Sequence, residues 1–328
     1  MARKPYARIT GTGRAVPESI LSNHDLEQLV DTSDEWIRTR TGIKERHIVK
    51  RGEKLSDYCI KAARLALEDA GVSPEELDFI ILGTITGDMR FPATTIYVQG
   101  ALGAVNATAW DVSATCSGFL FALYQGEAQI ALGRAKKGLV LGGEFLTPLV
   151  DWTDRGTCVL FGDGAGAAVL EQATDERGIL ATHIGTSGDQ AHLLYCFGSG
   201  SAGSLNNGNG LHDDFLHMNG NEVFRHAVRT LGKAALETLR RAELTPDQID
   251  WLVPHQANIR IIEATAQRLN IPMDRVYVNI ERYGNTSSAS VPIAMDEARR
   301  SGIIKDGQTA LAVVFGGGFT WGGAAIRF

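Results

Sequence analysis

The chain repeats itself. Ala70-Gly71-Val72-Ser73-Pro74-Glu75-Glu76-Leu77-Asp78-Phe79-Ile80-Ile81 aligns with Ala242-Glu243-Leu244-Thr245-Pro246-Asp247-Gln248-Ile249-Asp250-Trp251-Leu252-Val253 at an offset of 172, with most positions identical or close in character. Each copy reads as a helix end, a Ser/Thr-Pro turn and a buried strand. Leu139 to Phe145 resembles Val313 to Phe319 at an offset of 174, and Ala167-Ala168-Val169 resembles Ala324-Ala325-Ile326 in the same order. Such recurrence implies an internally duplicated α/β unit. The two halves, residues 1–172 and 173–328, are each of ordinary domain size. A pseudo-twofold arrangement then brings their matching loops together. The stretch Gly198 to Gly210, rich in Gly, Ser and Asn, has no repeat partner and reads as a surface loop near a ligand entrance.

Within the first half, Ala7 to Thr10 is strand-like, and Thr32 with Glu35 forms a capping-box pattern for a short helix presenting Trp36, Arg38 and Arg40. An amphipathic helix is expected from about Ser56 to Gly71, stopped by Gly71 and Pro74, then a buried strand Phe79 to Gly83 and a helix Thr94 to Leu102. Further strands are expected at Gly138 to Leu141, Gly166 to Leu170 and, in the second half, Val276 to Ile280.

Composition narrows the function. At 44% hydrophobic residues the chain can bury a large core, and a net charge of −6 gives no global attraction to nucleic acid or anionic membrane. No apolar run approaches the roughly 20 residues that span a bilayer, and the N-terminus lacks a signal-peptide pattern, so a cytoplasmic location is expected. Cys59, Cys116, Cys158 and Cys196 are scattered, without the spacing of a disulfide framework or metal site.

Chemistry gathers at three turns. Ala109 to Val112 is a short apolar run that breaks into small residues before an Ala/Leu-rich segment reaching about Leu132, which puts Cys116 near the start of a helix. The helix dipole and unpaired backbone N–H groups there favour a thiolate nucleophile. Strand Trp251 to Val253 ends in Pro254-His255-Gln256-Ala257-Asn258, and strand ends in α/β sheets are where ligands bind. The 172 offset sets the turn Gly284-Asn285-Thr286 close to the position matching Cys116. Gly316-Gly317-Gly318 offers bare backbone able to aim an N–H at an oxyanion. Taken singly, these residues also read as a packing thiol, a structural histidine, a helix cap and a bare turn.

Together with Asp31 to Arg40, Arg40 to His47, Asp154 to Thr157, Phe161 to Gly166, Pro254 to Asn258, Gly284 to Ser290 and Gly316 to Gly322, these residues resemble the β-ketoacyl-acyl-carrier-protein synthase III family of thiolase-like condensing enzymes over essentially the whole chain. The resemblance implies a five-layered αβαβα fold, a homodimer and a catalytic triad of Cys116, His255 and Asn285. It implies transfer of an acyl group from acyl-CoA to Cys116, then condensation with malonyl-acyl-carrier-protein and loss of carbon dioxide, starting type II fatty acid synthesis without a metal or other cofactor. The oxyanion hole is implied at the N–H groups of Cys116 and Gly317. Coenzyme A contacts fall on Trp36, Arg40, Arg155 and Asn258, with the adenine between Trp36 and Arg155. Phe91, reaching across the dimer, and Phe315 are implied in the acyl pocket.

An acidic carrier protein needs a local basic patch on an acidic enzyme. Arg225, Arg229 and Lys233 recur every fourth residue on the helix expected from Asn221 to Arg241 and form one stripe, to which Arg260 adds, with Gln256 beside it. A related enzyme of specialised metabolism, an acyltransferase that never decarboxylates, and a non-catalytic partner subunit are the competing readings. The intact Cys116, His255 and Asn285 count against the last, and the starter acyl group stays open.

Overall fold

The duplication is visible as two sheets of matching order. The structure, a computed structural model, describes residues 5–198 and 214–328. All of the Gly198 to Gly210 stretch except Gly198 lies outside the described residues. The first half runs β1 (Ala7–Ala15), β2 (Ile20–Ser22), α1 (Asn23–Leu26), α2 (Asp34–Thr41), β3 (Glu45–His47), α3 (Leu55–Ala70), β4 (Phe79–Gly83), α4 (Thr94–Leu102), β5 (Thr108–Val112), α5 (Gly118–Ala131), β6 (Lys137–Phe145), α6 (Arg155–Cys158) and β7 (Asp163–Gln172). The second runs β8 (Gly178–Thr186), β9 (Leu194–Cys196), β10 (Leu216–Met218), α7 (Gly220–Ala242), β11 (Trp251–Pro254), α8 (Ile259–Arg268), α9 (Ile280–Tyr283), α10 (Ser290–Arg300), β12 (Thr309–Gly316) and β13 (Thr320–Arg327). Sheet orders are β1-β7-β6-β4-β5 and β8-β13-β12-β11, so each half contributes the same wound unit.

Strand alternation builds the layers. Phe79 and Ile81 of β4 face the central helices, while Ile80 and Leu82 face the outer ones; Val253 and Leu252 of β11 divide in the same way. Between the sheets lie α5 and α10, contributing Phe119, Leu120, Leu123, Val291, Ala294 and Met295. Helices α3 and α4 cover the outer face of the first sheet, and α7 and α8 that of the second. The result is five layers, α/β/α/β/α. Where the two halves meet, a Cβ on Gly83 would lie 2.1 Å from the carbonyl carbon of Gly118, and one on Gly142 would lie 2.3 Å from Ser288 O. Glycine is required there for the central helices to start so close to the sheet.

The repeat extends to cap geometry. Gly71 ends α3 at φ 65°, and Glu243, the matching residue, ends α7 at φ 56°. Each is followed by a capping box, Ser73 with Glu76 and Thr245 with Gln248.

Register corrects two alignments. β4 pairs Phe79 with Gly138, and β11 pairs Trp251 with Ala310, so the strand offset is again 172 rather than 174. In the same frame Val169 matches Ala325, not Ile326. Small and β-branched residues buried on both faces give little to distinguish one register from another. The expected strand Val276 to Ile280 is a single bridge between Leu252 and Val276, followed directly by α9. Gln256 Oε1 draws the N–H groups of Asn279 and Ile280, at 3.1 and 3.2 Å, away from any ladder. Helix α2 is capped by Ser33, whose Oγ accepts from Trp36 N–H at 3.1 Å, instead of by Thr32.

Candidate active site

Two equivalent turns form the centre of the site. Thr115 and Ser287 occupy matching positions with left-handed φ of 48° and 50°, immediately before the starts of α5 and α10. Both backbones are held by side chains. Thr115 Oγ1 donates to Gly317 O at 3.0 Å, Thr320 Oγ1 lies 2.9 Å from Ala114 O, and Ser287 N–H donates to Asn285 Oδ1 at 2.9 Å. The first turn carries Cys116 and the second carries Asn285.

These residues, with His255 at the end of β11, line one cavity of about 330 Å³ that extends outward to Trp36 and Arg40. His255 is buried, and burial lowers its pKa to about 4, so the ring is neutral at pH 7. Its Nδ1 lies 3.0 Å from Ser290 Oγ, which already accepts from Gln256 N–H at 2.7 Å. We assign the Ser290 proton to Nδ1, which puts the ring's N–H on Nε2. Asn285 is arranged to match: its Oδ1 is taken by Ser287, which leaves the amide NH₂ as its donor end.

Cys116 is partly exposed and lies just ahead of α5, but burial of its sulfur raises the pKa to about 12. The resting group is a thiol. Desolvation raises the sulfur's pKa, and the contact with Ser287 and a backbone N–H pull the other way, the sense in which the helix start also acts. Gly316 backs this turn: a Cβ there would lie 2.4 Å from Thr115 Oγ1 and 2.8 Å from Cys116 N. Gly317 follows, its carbonyl held by Thr115. Phe315 is buried, lines the cavity and packs on Phe319 with ring centroids 4.7 Å apart.

At the mouth, Trp36 lies between two guanidiniums, with Arg155 4.9 Å and Arg40 5.1 Å from the ring centroid. Arg155 Nη1 also donates to Asp31 O at 2.8 Å. The slot between Trp36 and Arg155 is closed, since two stacking contacts need roughly 7 Å. A base enters only if Arg155 moves. Asn258 caps α8 through Oδ1 and donates to Arg40 O at 2.9 Å, tying the helix start to α2.

Arg225, Arg229 and Lys233 are exposed on α7, and Phe224, Ala227 and Leu231 of that helix line the cavity. Arg225 pairs with Glu222, and Arg260, also exposed, lies 5.3 Å over the Phe224 ring. Gln256 does not belong with them. It is buried, with Nε2 donating to Pro254 O and Tyr277 O at 2.8 and 3.1 Å and Oε1 accepting two backbone N–H groups, so it is a staple rather than a carrier-protein contact. Phe91 is 82% exposed and does not line the cavity of its own chain.

The sequence reading missed Ser287, Ser290 and Glu144. Glu144 is fully buried, accepting from Thr84 Oγ1, Ile85 N–H, Thr86 Oγ1 and Ser287 Oγ. Its signal was a charged residue closing the apolar run Leu139 to Gly143.

Residues 110–188 match the family described as 3-Oxoacyl-[acyl-carrier-protein (ACP)] synthase III, and residues 239–328 match its C-terminal counterpart. The chain is similar to a beta-ketoacyl-[acyl-carrier-protein] synthase III of Xylella fastidiosa (strain 9a5c), 52% identical over 328 residues and covering 100% of both chains. Among solved structures it resembles the 3-oxoacyl-[acyl-carrier-protein] synthase III from Aquifex aeolicus VF5, with a TM-score of 0.92, 46% identity and coverage of 98% and 100%. It also resembles the priming beta-ketosynthase from the R1128 polyketide biosynthetic pathway, with a TM-score of 0.93, 36% identity and coverage of 99% and 97%. A duplicated five-layered fold, a cysteine, a neutral histidine and an asparagine in one cavity, and full-length identity of 52% lead to one conclusion: the chain belongs to the β-ketoacyl-acyl-carrier-protein synthase III family of thiolase-like condensing acyltransferases.

Proposed function

We propose that the condensation runs through Cys116, His255 and Asn285, with acyl-CoA as the acyl donor and malonyl-acyl-carrier-protein as the second substrate. The observation that carries this reading is the opening of all three side chains on one cavity that leads to Trp36. Cys116 attacks the thioester and keeps the acyl group as CoA leaves. The malonyl group then loses carbon dioxide, and the enolate attacks the acyl carbon, releasing Cys116. Enolate charge is met by the His255 ring N–H and the Asn285 amide, two neutral donors, so we take the step to need no metal. Backbone N–H groups of Cys116 and Gly317 serve the tetrahedral intermediate in this reading; the packing of Gly316 on the Cys116 turn supports it.

CoA runs outward past Asn258 and Arg40, its adenine stacking on Trp36 once Arg155 swings aside. The carrier protein docks on Arg225, Arg229 and Lys233, exposed on α7, and on Arg260, which lines the mouth of the cavity. A homodimer is supported by the exposed Ile85, Met89, Phe91, Ile96 and Tyr97, which cluster beside α4; Tyr97 Oη lies 3.4 Å from Met89 Sδ. Phe91 of each subunit then completes the acyl pocket of its partner. Residues 1–172 and 173–328 are taken as the duplicated halves. Among the described residues no helix is long and apolar enough to cross a membrane; we take the site of action to be the cytoplasm, where acyl-CoA and carrier protein would be met. Fatty acid initiation is favoured over a specialised pathway by the 52% identity to a synthase III against 36% to the polyketide priming enzyme.

The test is intact-protein mass spectrometry with acetyl-CoA, followed by malonyl-acyl-carrier-protein. An adduct on Cys116 that is discharged as a β-ketoacyl product supports the reading. No adduct, or an adduct that is never condensed, overturns it. A panel of acyl-CoA primers in the same assay identifies the starter.

A further inference from the structure

Glu144 ends β6 beneath the site, and nothing in the reaction above employs it. Its Oε1 accepts from Thr84 Oγ1 at 2.7 Å, Ile85 N–H at 2.8 Å and Thr86 Oγ1 at 3.0 Å, and its Oε2 lies 2.8 Å from Ser287 Oγ. Ser287 Oγ is in turn 3.4 Å from Cys116 Sγ. A hydroxyl has one proton to give, and the carboxylate is both the nearer and the stronger acceptor. That orientation turns a lone pair of Ser287 Oγ toward the thiol, whose S–H is the remaining donor. The three groups form a chain, S–H to hydroxyl to carboxylate. A fully buried carboxylate is costly, and no cationic side chain pairs with Glu144 among the described residues, so its place beneath the site calls for a use.

We propose that Ser287 and Glu144 are a proton relay, taking the proton of Cys116 as its sulfur attacks the acyl thioester and holding it until the cysteine is released. The proposal rests on the reading of Cys116 as the nucleophile. In acylation, Sγ bonds to the acyl carbon, the S–H proton passes to Ser287 Oγ, and the Ser287 proton passes to Glu144 Oε2. The bond from the acyl carbon to the sulfur of CoA breaks, and the CoA thiolate takes a proton from solvent. In condensation the enolate carbon bonds to the acyl carbon, the bond to Cys116 breaks with its electron pair on sulfur, and the proton returns by the same path. One proton is consumed per turnover, the one taken by CoA. Glu144 is neutral throughout the acyl-enzyme stage, so no charge sits beneath the enolate as it forms.

Electrostatics agree with the geometry. Burial lifts Glu144 above the ordinary carboxylate range against the pull of its four donors, and burial holds Cys116 as a thiol that needs an acceptor. Ser287 touches the reacting sulfur and is a catalytic residue. Glu144 acts through it as a positioning residue, orienting the hydroxyl and receiving its proton.

The test follows Cys116 acylation by acetyl-CoA in the full-length protein, by time-resolved intact mass across neutral and alkaline pH. It compares wild type, Ser287→Ala and Ser287→Thr. Thr115 shows that threonine accepts the matching backbone, at φ 48°, so Ser287→Thr suits the turn and keeps the hydroxyl, with thermal unfolding to confirm that it folds. Ser287→Ala is expected to acylate on the order of 10²-fold more slowly at neutral pH. Its rate should climb with pH in proportion to the thiolate fraction, while Ser287→Thr stays near wild type. Infrared difference spectra should show the carbonyl band of a protonated carboxylic acid when wild type is acylated, and no such band in Ser287→Ala. Acylation of Ser287→Ala at the wild-type rate overturns the relay. So does slower acylation with an unchanged pH profile and no carboxylic-acid band in wild type, which would make Ser287 merely structural. A wild-type protein that takes no acyl group on Cys116 instead overturns the nucleophile reading beneath it.

Discussion

Gly316→Ala tests whether backbone packing positions the nucleophile. The added Cβ would lie 2.4 Å from Thr115 Oγ1, 2.8 Å from Cys116 N and 3.1 Å from Cys116 Cβ. Contact distances start near ~3.4 Å, so the overlap is about 1 Å and two of the three atoms are backbone or tied to it. Thr115 cannot rotate away without giving up its bond to Gly317 O. The turn holding Cys116 must therefore move. Overpacking of this kind costs about 1–3 kcal/mol of stability, and a displacement near 1 Å of a reacting group costs on the order of 10²-fold in rate. Gly317→Ala is the internal control: its Cβ meets Leu194 O at 3.2 Å and Thr115 Cγ2 at 3.4 Å, which neighbours can absorb, and it keeps the backbone N–H. The assay is single-turnover acylation of Cys116 by intact mass, with thermal unfolding of both variants to confirm folding. Gly316→Ala should lose on the order of 10²-fold in the acylation rate with little change in the half-saturating acyl-CoA concentration, and Gly317→Ala should stay near wild type. Wild-type acylation by Gly316→Ala, or a greater loss in Gly317→Ala, would refute the reasoning.

Asn285→Asp keeps the acceptor for Ser287 N–H but sets a negative charge where the enolate forms. At about 4 Å and an effective dielectric near 20 that opposes the step by about 4 kcal/mol, so release of labelled carbon dioxide should fall on the order of 10³-fold while acylation of Cys116 changes little. The folded pKa of His255, about 4, lies below its unfolded value near 6.5, so its contribution to stability is present above pH 6.5 and lost as pH falls toward 4. The loss is on the order of 3 kcal/mol, and His255→Gln should remove that slope from denaturant titrations across this window. Arg225→Glu with Arg229→Glu should raise KM for malonyl-acyl-carrier-protein and spare acyl transfer from free CoA thioesters; equal effects on both would remove the docking assignment. Gln256→Ala strands the N–H groups of Asn279 and Ile280 and should cost about 2–4 kcal/mol in unfolding free energy, with no selective rise in KM for the carrier protein.

Much of the architecture was written in local pattern. The Ser-Pro and Thr-Pro turns before Phe79 and Trp251 marked the same joint twice, and the strand Phe79–Gly83 and the helix Thr94–Leu102 fall where their apolar runs begin and end. The equivalence of the Cys116 and Asn285 turns followed from that spacing. Register did not follow, because Val, Ala and Gly buried on both faces of a sheet fit more than one pairing. The Val276 strand failed because the competing acceptor, Gln256 Oε1, comes from a distant segment. For the same reason Gln256 looked like a surface contact: its neighbours Arg260 and Asn258 are polar and its burial is a tertiary fact. The alignment slipped by two residues set Glu144 opposite Gly318, when the strand pairing places it opposite Gly316, the last residue of β12. For Cys116 the helix start that favours a thiolate is visible in sequence, and the desolvation that opposes it is not.

The seam where the two central helices begin has a mechanical consequence. Ser288 Oγ donates to Gly83 O at 2.8 Å across the halves, and Gly142 rests against Ser288 O. The thiol belongs to one half, and the histidine and asparagine to the other. Sliding one half against the other by a fraction of an ångström leaves every layer folded and every residue present, yet it separates sulfur from amide. Heat or denaturant should therefore silence turnover before it erases the helices, and substitutions that tighten the Gly83–Ser288 crossing should extend the working range without touching a reacting group.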